Sequence, residues 1–270
     1  MTKQDRTTLK SFFREGALPT AEHYRDLIES CVNQVEDGFS KTAADGLQLA
    51  SLGSSGRVLS FYEGVGTPHA AWVIEHGAQG SLHLRPDARA ADPGAAEALT
   101  LTRDGRLGVH VARPDCRLDV DGVVRMSGRM GRTMLNQDVP ADGAWHEVTP
   151  ELTGCQAFEV MAGVGGEPTA GRYSMLHAIA MNAYHPPNPI LNWLFGRRRI
   201  RAQTAMYGRY ADRIQLRWVA TRNRHCFKLE IRTNSGFGPG KLIRYTLTQL
   251  WFDPTMEGSR PPAAPAAGGA

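Results

Sequence analysis

Residues 184–201 bring together the side chains of this sequence best suited to ligand binding. Three prolines interrupt the segment, and aromatic rings and arginines accompany them. Aromatic rings suit stacking on sugars, and guanidinium groups pair with phosphate or carboxylate groups. The candidate ligand-binding residues are Tyr184, Trp193, Phe195, Arg197, Arg198, Arg199 and Arg201. The alternative is that Trp193 and Phe195 pack under a sheet or against a neighbouring subunit.

Catalytic groups do not form a recognisable set. The sequence contains neither the Gly-x-Ser-x-Gly elbow of a serine hydrolase nor the His-Glu-x-x-His helix of a zinc protease. Glu147, Glu151 and Glu159 could supply the carboxylate pair of a glycosidase, but glutamates on strands are more often solvated. We therefore predict that the protein is not an enzyme and needs no cofactor.

Histidines and cysteines give only a weak indication of metal binding. His83 and His110 could form rings around a metal ion on an oligomer axis, but a histidine between apolar neighbours is more often packed and hydrogen-bonded. The four cysteines are scattered without Cys-x-x-Cys spacing. This pattern favours neither a zinc site nor a disulfide framework, so we predict no metal site.

Charge is unevenly distributed along the chain. Residues 1–131 carry 15 basic and 17 acidic side chains, whereas residues 132–270 carry 16 and 10. We therefore expect an anionic partner to bind the second half of the chain. No nucleic-acid motif accompanies the arginines, so nucleic acid is not predicted as a partner.

Membrane and secretion signals are not found. No apolar run is long enough to span a membrane. The first residues lack the apolar segment of a signal peptide, so we expect synthesis in the cytoplasm without one.

The sequence of residues 1–40 predicts a small helical segment that docks on another surface. Thr20 is placed to cap a helix that follows Pro19. Apolar side chains then recur at helical spacing as far as Gly38, at Tyr24, Leu27, Ile28, Cys31, Val32 and Val35. A single short helix is marginal in water. The stripe should therefore pack on the first helix, on other subunits or on a host structure, with Tyr24, Leu27, Ile28 and Cys31 as its docking residues.

Residues 41–130 predict a shaft of short strands separated by glycine turns. Within residues 99–128, Leu99 and Leu101 alternate with threonines, Asp104-Gly105 forms a two-residue hairpin turn, and Pro114 ends the return strand. Residues 117–120 and 123–126 predict further strands around an Asp121-Gly122 turn. Such strands have too little apolar surface to fold alone. We expect intertwined trimerisation, with Leu107, Val109, Leu118 and Val120 at the subunit interface.

The sequence of residues 131–257 predicts strands that are longer and richer in aromatic residues than those of residues 41–130. Ile214, Leu216 and Trp218 alternate with Gln215 and Arg217, as expected of strands with one buried face. Seven or eight strands of this kind, with turns every 8–12 residues, are typical of an antiparallel β-sandwich or jelly roll. Residues 258–270 are rich in proline, alanine and glycine and are predicted to be disordered.

The strand–turn–strand order of the shaft resembles the module that ends the shafts of phage and phage-like tail fibres. Thr-Arg-Asp-Gly-Arg-Leu-Gly-Val-His-Val at 102–111, Pro114, and Arg-Leu-Asp-Val-Asp-Gly at 117–122 match its order. His110-Val111 departs from the family, which usually has Gly-Thr there. The resemblance covers about residues 55–130. The alternative is a β-hairpin within an ordinary β-domain.

Both ends of the chain carry similar resemblances. Thr-Leu-Lys-Ser-Phe-Phe at 8–13 resembles the start of short fibre-like proteins of phage tails and contractile injection systems. Val-Pro-Ala-Asp-Gly-Ala-Trp-His at 139–146 and the closing Gln-Leu-Trp at 249–251 resemble the head that follows the shaft module. No chemical activity is implied for that head.

The resemblance implies a mainly β, homotrimeric fibre or adhesin-like protein displayed on a phage tail or phage-like particle. Its head would bind a cell-surface glycan or a partner protein, and its N-terminal segment would contact a tail or baseplate. Two other functions remain open. One is a polysaccharide-degrading enzyme at a fibre tip, and the other is an assembly factor of the particle or the cytoplasm.

Overall fold

The computed structural model describes residues 3–52, 56–87, 98–135, 137–169, 171–184, 190 and 200–260. The chain divides into two compact units, residues 1–125 and 126–270. The fold is mainly β, as predicted.

The first unit begins with two short helices, α1 (Arg6–Phe12) and α2 (Ala21–Glu29). The predicted cap of α2 is confirmed, because the Thr20 hydroxyl accepts a hydrogen bond from the His23 backbone N–H. The His23 ring in turn accepts from the backbone N–H of Thr20. Aromatic pairs join the helices: Phe12 stacks on His23 at 4.1 Å between ring centroids, and Phe13 meets Tyr24 edge-on at 5.4 Å.

The prediction that the helical stripe continues to Val35 is wrong. Helix α2 ends at Glu29, so Cys31 lies outside it and is exposed. The side chain of Asn33 accepts from the Val35 N–H, and the Asp37 carboxylate accepts from the Asn33 N–H. Such side-chain-to-backbone bonds compete with helical hydrogen bonds. They hold residues 33–37 in a turn.

Eight short strands follow among the described residues of the first unit. A hairpin formed by the first two strands precedes a six-stranded sheet in which β3 to β8 lie in sequence order. The strands are β1 (Phe39–Thr42), β2 (Gly46–Leu49), β3 (Arg57–Phe61), β4 (Trp72–His76), β5 (Leu82–Pro86), β6 (Leu99–Leu101), β7 (Leu107–Val109) and β8 (Leu118–Val120).

The predicted hairpin at Asp104-Gly105 is confirmed, but its loop is one residue longer. The Thr102 N–H donates to the Arg106 carbonyl, and Gly105 has φ +78°, which is typical of a three-residue loop. His110 adopts φ +57°, so a non-glycine residue occupies the left-handed conformation. β8 then pairs parallel to β7.

The predicted strand at 123–126 does not form. These four residues belong to no sheet, and Val123 is fully exposed. The Asp121 N–H is already used by the Val109 carbonyl at the end of the β7–β8 ladder. No described strand lies beyond β8 to pair with this segment.

The described strands of the second unit form two sheets, and their pairings are antiparallel. One sheet has the order β14-β13-β12-β17-β9, and in the other β16 pairs with β10, β11 and β15. The strands are β9 (Val139–Pro140), β10 (His146–Glu147), β11 (Leu152–Thr153), β12 (Cys155–Gly165), β13 (Tyr173–Ala183), β14 (Ile200–Met206), β15 (Ile214–Ala220), β16 (Cys226–Thr233) and β17 (Leu242–Gln249).

One hydrophobic core lies between these sheets. Val160 and Leu176 contribute from the five-stranded sheet, while Phe227, Leu229 and Ile231 contribute from the other. The predicted alternation in β15 is confirmed, because Ile214 and Trp218 are buried and Arg217 is exposed. The arrangement is therefore two antiparallel layers packed face to face.

The end of the described chain is partly ordered. Residues 257–259 form a 3-10 turn, and the Asp253 carboxylate accepts from the N–H groups of Glu257 and Gly258. The prediction of disorder is therefore wrong for 258–259, because this carboxylate caps the turn. Residues 261–270 lie outside the described residues.

Candidate functional site

One row of apolar side chains crosses all six strands on one face of the six-stranded sheet, and His76 lies beside Leu82 on the same face. Pairing aligns two rows across the strands, which we call the apolar face. Its members are Leu59, Ile74, Leu84, Leu99, Val109 and Val120 in one row, and Leu82, Leu101, Leu107 and Leu118 in the other. Leu101 is 48% exposed and Leu118 is 60% exposed. The predicted interface residues Leu107, Val109, Leu118 and Val120 all belong to this face.

The opposite face of the same sheet buries polar side chains. His83 and Thr100 are 7% and 0% exposed, and the His83 ring is hydrogen-bonded to the hydroxyls of Ser81 and Thr100. Arg85 forms two hydrogen bonds with Glu75 at 2.7 and 3.0 Å. His83 is therefore a packed, hydrogen-bonded histidine and lies on the face opposite the apolar one.

The first unit has few buried apolar side chains of its own. Among its described apolar residues other than proline and glycine, only Ala70 and Val73 are buried. Folded chains normally bury most of their large aliphatic side chains. Much of the apolar surface of this unit thus lies on the apolar face and not in a core of its own.

In the second unit, a cleft opens between the edge strands β14 and β15. Ala202 and Thr204 pair with the buried Ala178 and Leu176 of β13, so their side chains point toward the interior. Both residues are nevertheless exposed. The cleft has a volume of about 440 Å³, and Leu176, Ile200, Ile214 and Leu216 form its apolar wall.

A short segment before β15 supplies the polar wall of this cleft. Residues 210–212 form a 3-10 turn, and Arg213 follows it directly. The Arg213 guanidinium lies 4.5 Å from the centroid of the Tyr210 ring and donates a hydrogen bond to the Tyr210 hydroxyl. Its Nε atom is buried and has no hydrogen-bond partner among the described residues.

Trp145 lines the cleft beside two other arginines. The guanidinium carbons of Arg217 and Arg232 lie 4.2 and 4.5 Å from its ring centroid. Arg217 also pairs with Glu230 at 2.6 Å, and Arg232 donates to Gln215. Arg217 is therefore compensated by a carboxylate, whereas Arg213 has no ion pair with a described residue.

An ion pair anchors the segment that carries Tyr210 and Arg213. The Arg172 Nη2 lies 2.6 Å from Oδ1 of Asp212, whose side chain is almost fully buried. The hydroxyl of Ser235 donates to the same oxygen. The Arg172 guanidinium, and after it the Ser235 hydroxyl, hold the pKa of Asp212 below its usual range despite burial.

Most of the predicted ligand-binding residues cannot be located. Trp193, Phe195, Arg197, Arg198 and Arg199 lie outside the described residues.

The other two predicted ligand-binding residues lie in different surroundings. Arg201 pairs with Ile179 on β13, so it lies on the outer face of the five-stranded sheet, away from the cleft. Tyr184 follows β13, with its ring edge-on to His225 at 6.3 Å.

Each of the three candidate glutamates is bound to a different partner. Glu147 is bound by Lys228 at 2.9 Å, and Glu151 accepts from the Asn223 amide. Glu159 accepts from His177 and also pairs with Arg129. Glu147 and Glu159 lie on the outer faces of opposite sheets, so the core separates them.

The cleft residues Tyr210 and Arg213 were missed at the sequence level. They lie in a short link between two strands, where an aromatic residue precedes an arginine by three positions. That spacing is a weak signal. The cleft exists only because two sheets separate at their edges, a long-range feature that local patterns do not encode.

Neither protein-family models nor curated proteins give a match to this sequence. Among the described residues, no group of three histidine, cysteine or acidic side chains could hold a metal ion. No helix in the described part of the chain has the length and apolarity needed to cross a membrane.

Proposed function

We propose that this chain is a homotrimeric, fibre-like structural protein. Residues 41–130 form a shaft that assembles through the apolar face, and the jelly-roll-like second unit forms a head that binds a cell-surface glycan or a partner protein. The N-terminal helices contact a phage tail or baseplate, so the protein is displayed on a phage or phage-like particle. We assign the head a binding role rather than a catalytic one.

The observation that supports this proposal is the apolar face itself. Six strands about 4.8 Å apart span about 24 Å, and the ten side chains that define the face carry no charge. Monomeric proteins rarely leave a contiguous apolar patch of this extent uncovered. A second and third copy of the same face suit it better than a charged partner, because copies of an uncharged face do not repel one another.

The molar mass in solution tests the proposal. Light scattering coupled to size-exclusion chromatography on the full chain should give three times the chain mass of 29.5 kDa at micromolar concentration. A monomer would contradict assembly through the apolar face. A mass of two chains would replace the trimer with a dimer of sheets packed face to face.

A further inference from the structure

The cleft between β14 and β15 has the construction of a ligand site. The Ala202 and Thr204 side chains point into the sandwich yet stay exposed, because the opposite sheet does not cover them. Natural sandwiches normally fill the space between their sheets with side chains. An uncovered inner surface, with one apolar wall and one polar wall, suits a small amphipathic molecule.

The charge of the cleft is positive and incompletely compensated. Its described lining includes Arg213 and Arg217 but no acidic residue. Glu230 neutralises Arg217 from outside the lining, whereas within the described part of the chain Arg213 contacts the hydroxyl and ring of Tyr210 and no carboxylate. A guanidinium without a carboxylate partner among the described residues favours an anionic ligand.

The planar shape of the Arg213 guanidinium indicates which kind of anion the cleft would bind. The Nε atom and a terminal nitrogen of a guanidinium form a planar fork that matches the two oxygens of a carboxylate. The rings of Tyr210, which is 69% exposed, and Trp145 lie at the same cleft. Aromatic rings offer flat apolar surfaces to the C–H faces of sugars, so the cleft combines a carboxylate fork with a surface for a sugar ring.

We propose that this cleft binds a carboxylated sugar residue of a surface polysaccharide. The sugar carboxylate is held by Arg213, and the sugar ring lies against Tyr210. This inference rests on the proposed binding role of the head and names its ligand class and location. It moves the site from residues 184–201 to the segment 210–213.

Binding to a panel of polysaccharides tests the inference. The panel contains four carboxylated polymers, namely polygalacturonate, alginate, hyaluronate and polysialate, with neutral dextran and a phosphate-linked teichoic acid as comparisons. At least one carboxylated polymer should bind the full chain by calorimetry, and dextran should not. Failure of all four, or binding of teichoic acid alone, would overturn the inference.

Matched variants locate the binding. Arg213→Gln should weaken binding at least about tenfold, since bonds to charged groups are worth that much or more, and Arg213→Lys should weaken it less. Arg222→Gln changes an exposed arginine in the turn between β15 and β16, and it should leave affinity within about twofold. Tyr210→Phe should retain more affinity than Tyr210→Ala. If Arg213→Gln and Arg222→Gln lower the affinity for the polysaccharide equally, the binding is nonspecific charge attraction, which would contradict the assigned site.

Mass measurements on the same samples separate this inference from the trimer. A trimer that binds none of the carboxylated polymers refutes the proposed ligand site in the cleft and supports the proposed assembly. A monomer that binds, and that loses binding in Arg213→Gln, supports the cleft and refutes the assembly. Thermal melting of Arg213→Gln within a few degrees of the parent shows that its loss of binding does not come from unfolding.

Discussion

Arg172 and Asp212, 40 residues apart in sequence, are joined by an ion pair of 2.6 Å. The Arg172 guanidinium also lies over the ring of Phe237, 4.4 Å from its centroid. The pair thus connects the start of β13 to the 3-10 turn before β15. It fixes the turn that carries Tyr210, and with it the polar wall of the cleft.

The first prediction concerns acid stability. Because the pKa of Asp212 is lowered in the folded state, its contribution to stability is complete above the usual aspartate pKa of about 3.9 and is lost as pH falls through the lower folded value. Asp212→Asn should lower the melting temperature of the second unit at pH 7, and more weakly at pH 2.5. Asp212→Ala should cost about 3 kcal/mol at neutral pH.

Calorimetry between pH 7 and 2.5 checks this expectation. Asp121→Asn, at an exposed aspartate in the first unit, serves as the control and should leave the transition of the second unit unchanged. If the melting temperature of the second unit changes with pH in the same way in Asp212→Asn and in the parent protein, the assigned role of this carboxylate is contradicted.

The second prediction concerns the apolar face. Leu101 is 48% exposed in the single chain, so Leu101→Asp should disturb the fold of one subunit little. In an assembly it would place a charge in an apolar interface and should produce monomers. Val123→Asp is the matched control, because Val123 is fully exposed and lies outside the sheet. Light scattering that gives the same mass for both variants would exclude this face as the interface.

The third prediction concerns the close approach at Gly108. A Cβ atom there would lie 2.2 Å from the carbonyl oxygen of Val111, which is backbone and cannot simply rotate away. Gly108→Ala should destabilise the first unit by about 1–3 kcal/mol or more. Gly128→Ala has open space around its Cβ position and should be neutral. Denaturant unfolding with equal midpoints for the two variants would contradict this packing.

The fourth prediction concerns the helical segment. Leu27→Asp combined with Ile28→Asp should prevent docking of residues 1–40 to the particle, while far-UV circular dichroism of the β-units stays unchanged. Ile28 is 69% exposed, which favours an external contact. Arg25→Ala, at another exposed position of α2, is the control. Normal incorporation of the double variant into particles would mean that the stripe serves only local packing.

The fifth prediction concerns Trp193, whose surroundings lie outside the described residues. If it contacts a ligand, Trp193→Ala should abolish adhesion without lowering the melting temperature. If it is part of a core, the same change should cost about 3–5 kcal/mol. Measuring adhesion and melting on one preparation distinguishes the two roles, and a large fall in melting temperature would refute the ligand role.

The strands were predictable where one face of a sheet is buried. Ile214 and Trp218 point into the core and Arg217 points out, so the alternation in sequence matches the alternation in burial. The same pattern identified the apolar side of the strands that contain Leu99 and Val109. It could not reveal that six strands align their apolar residues, because register between strands depends on partners distant in sequence.

The errors of prediction have local and long-range causes. Val32 and Val35 continue the helical spacing, but the helix ends at Glu29, and beyond it the side chain of Asn33 accepts from the Val35 N–H in a turn. Residues 123–126 have strand propensity and find no partner strand among the described residues. The polar wall formed by Tyr210 and Arg213 depends on the distant Arg172, which no local pattern connects to it.

The open apolar face has a consequence for how the two units respond to dilution. A fold completed by neighbouring copies obeys mass action, so its melting temperature rises with protein concentration. A unit with its own core, such as the one around Phe158 and Ile231, melts at a temperature independent of concentration. Under the proposed assembly, diluting the protein would shift the first melting transition and leave the second in place, so a single chain would contain one concentration-dependent and one concentration-independent unit.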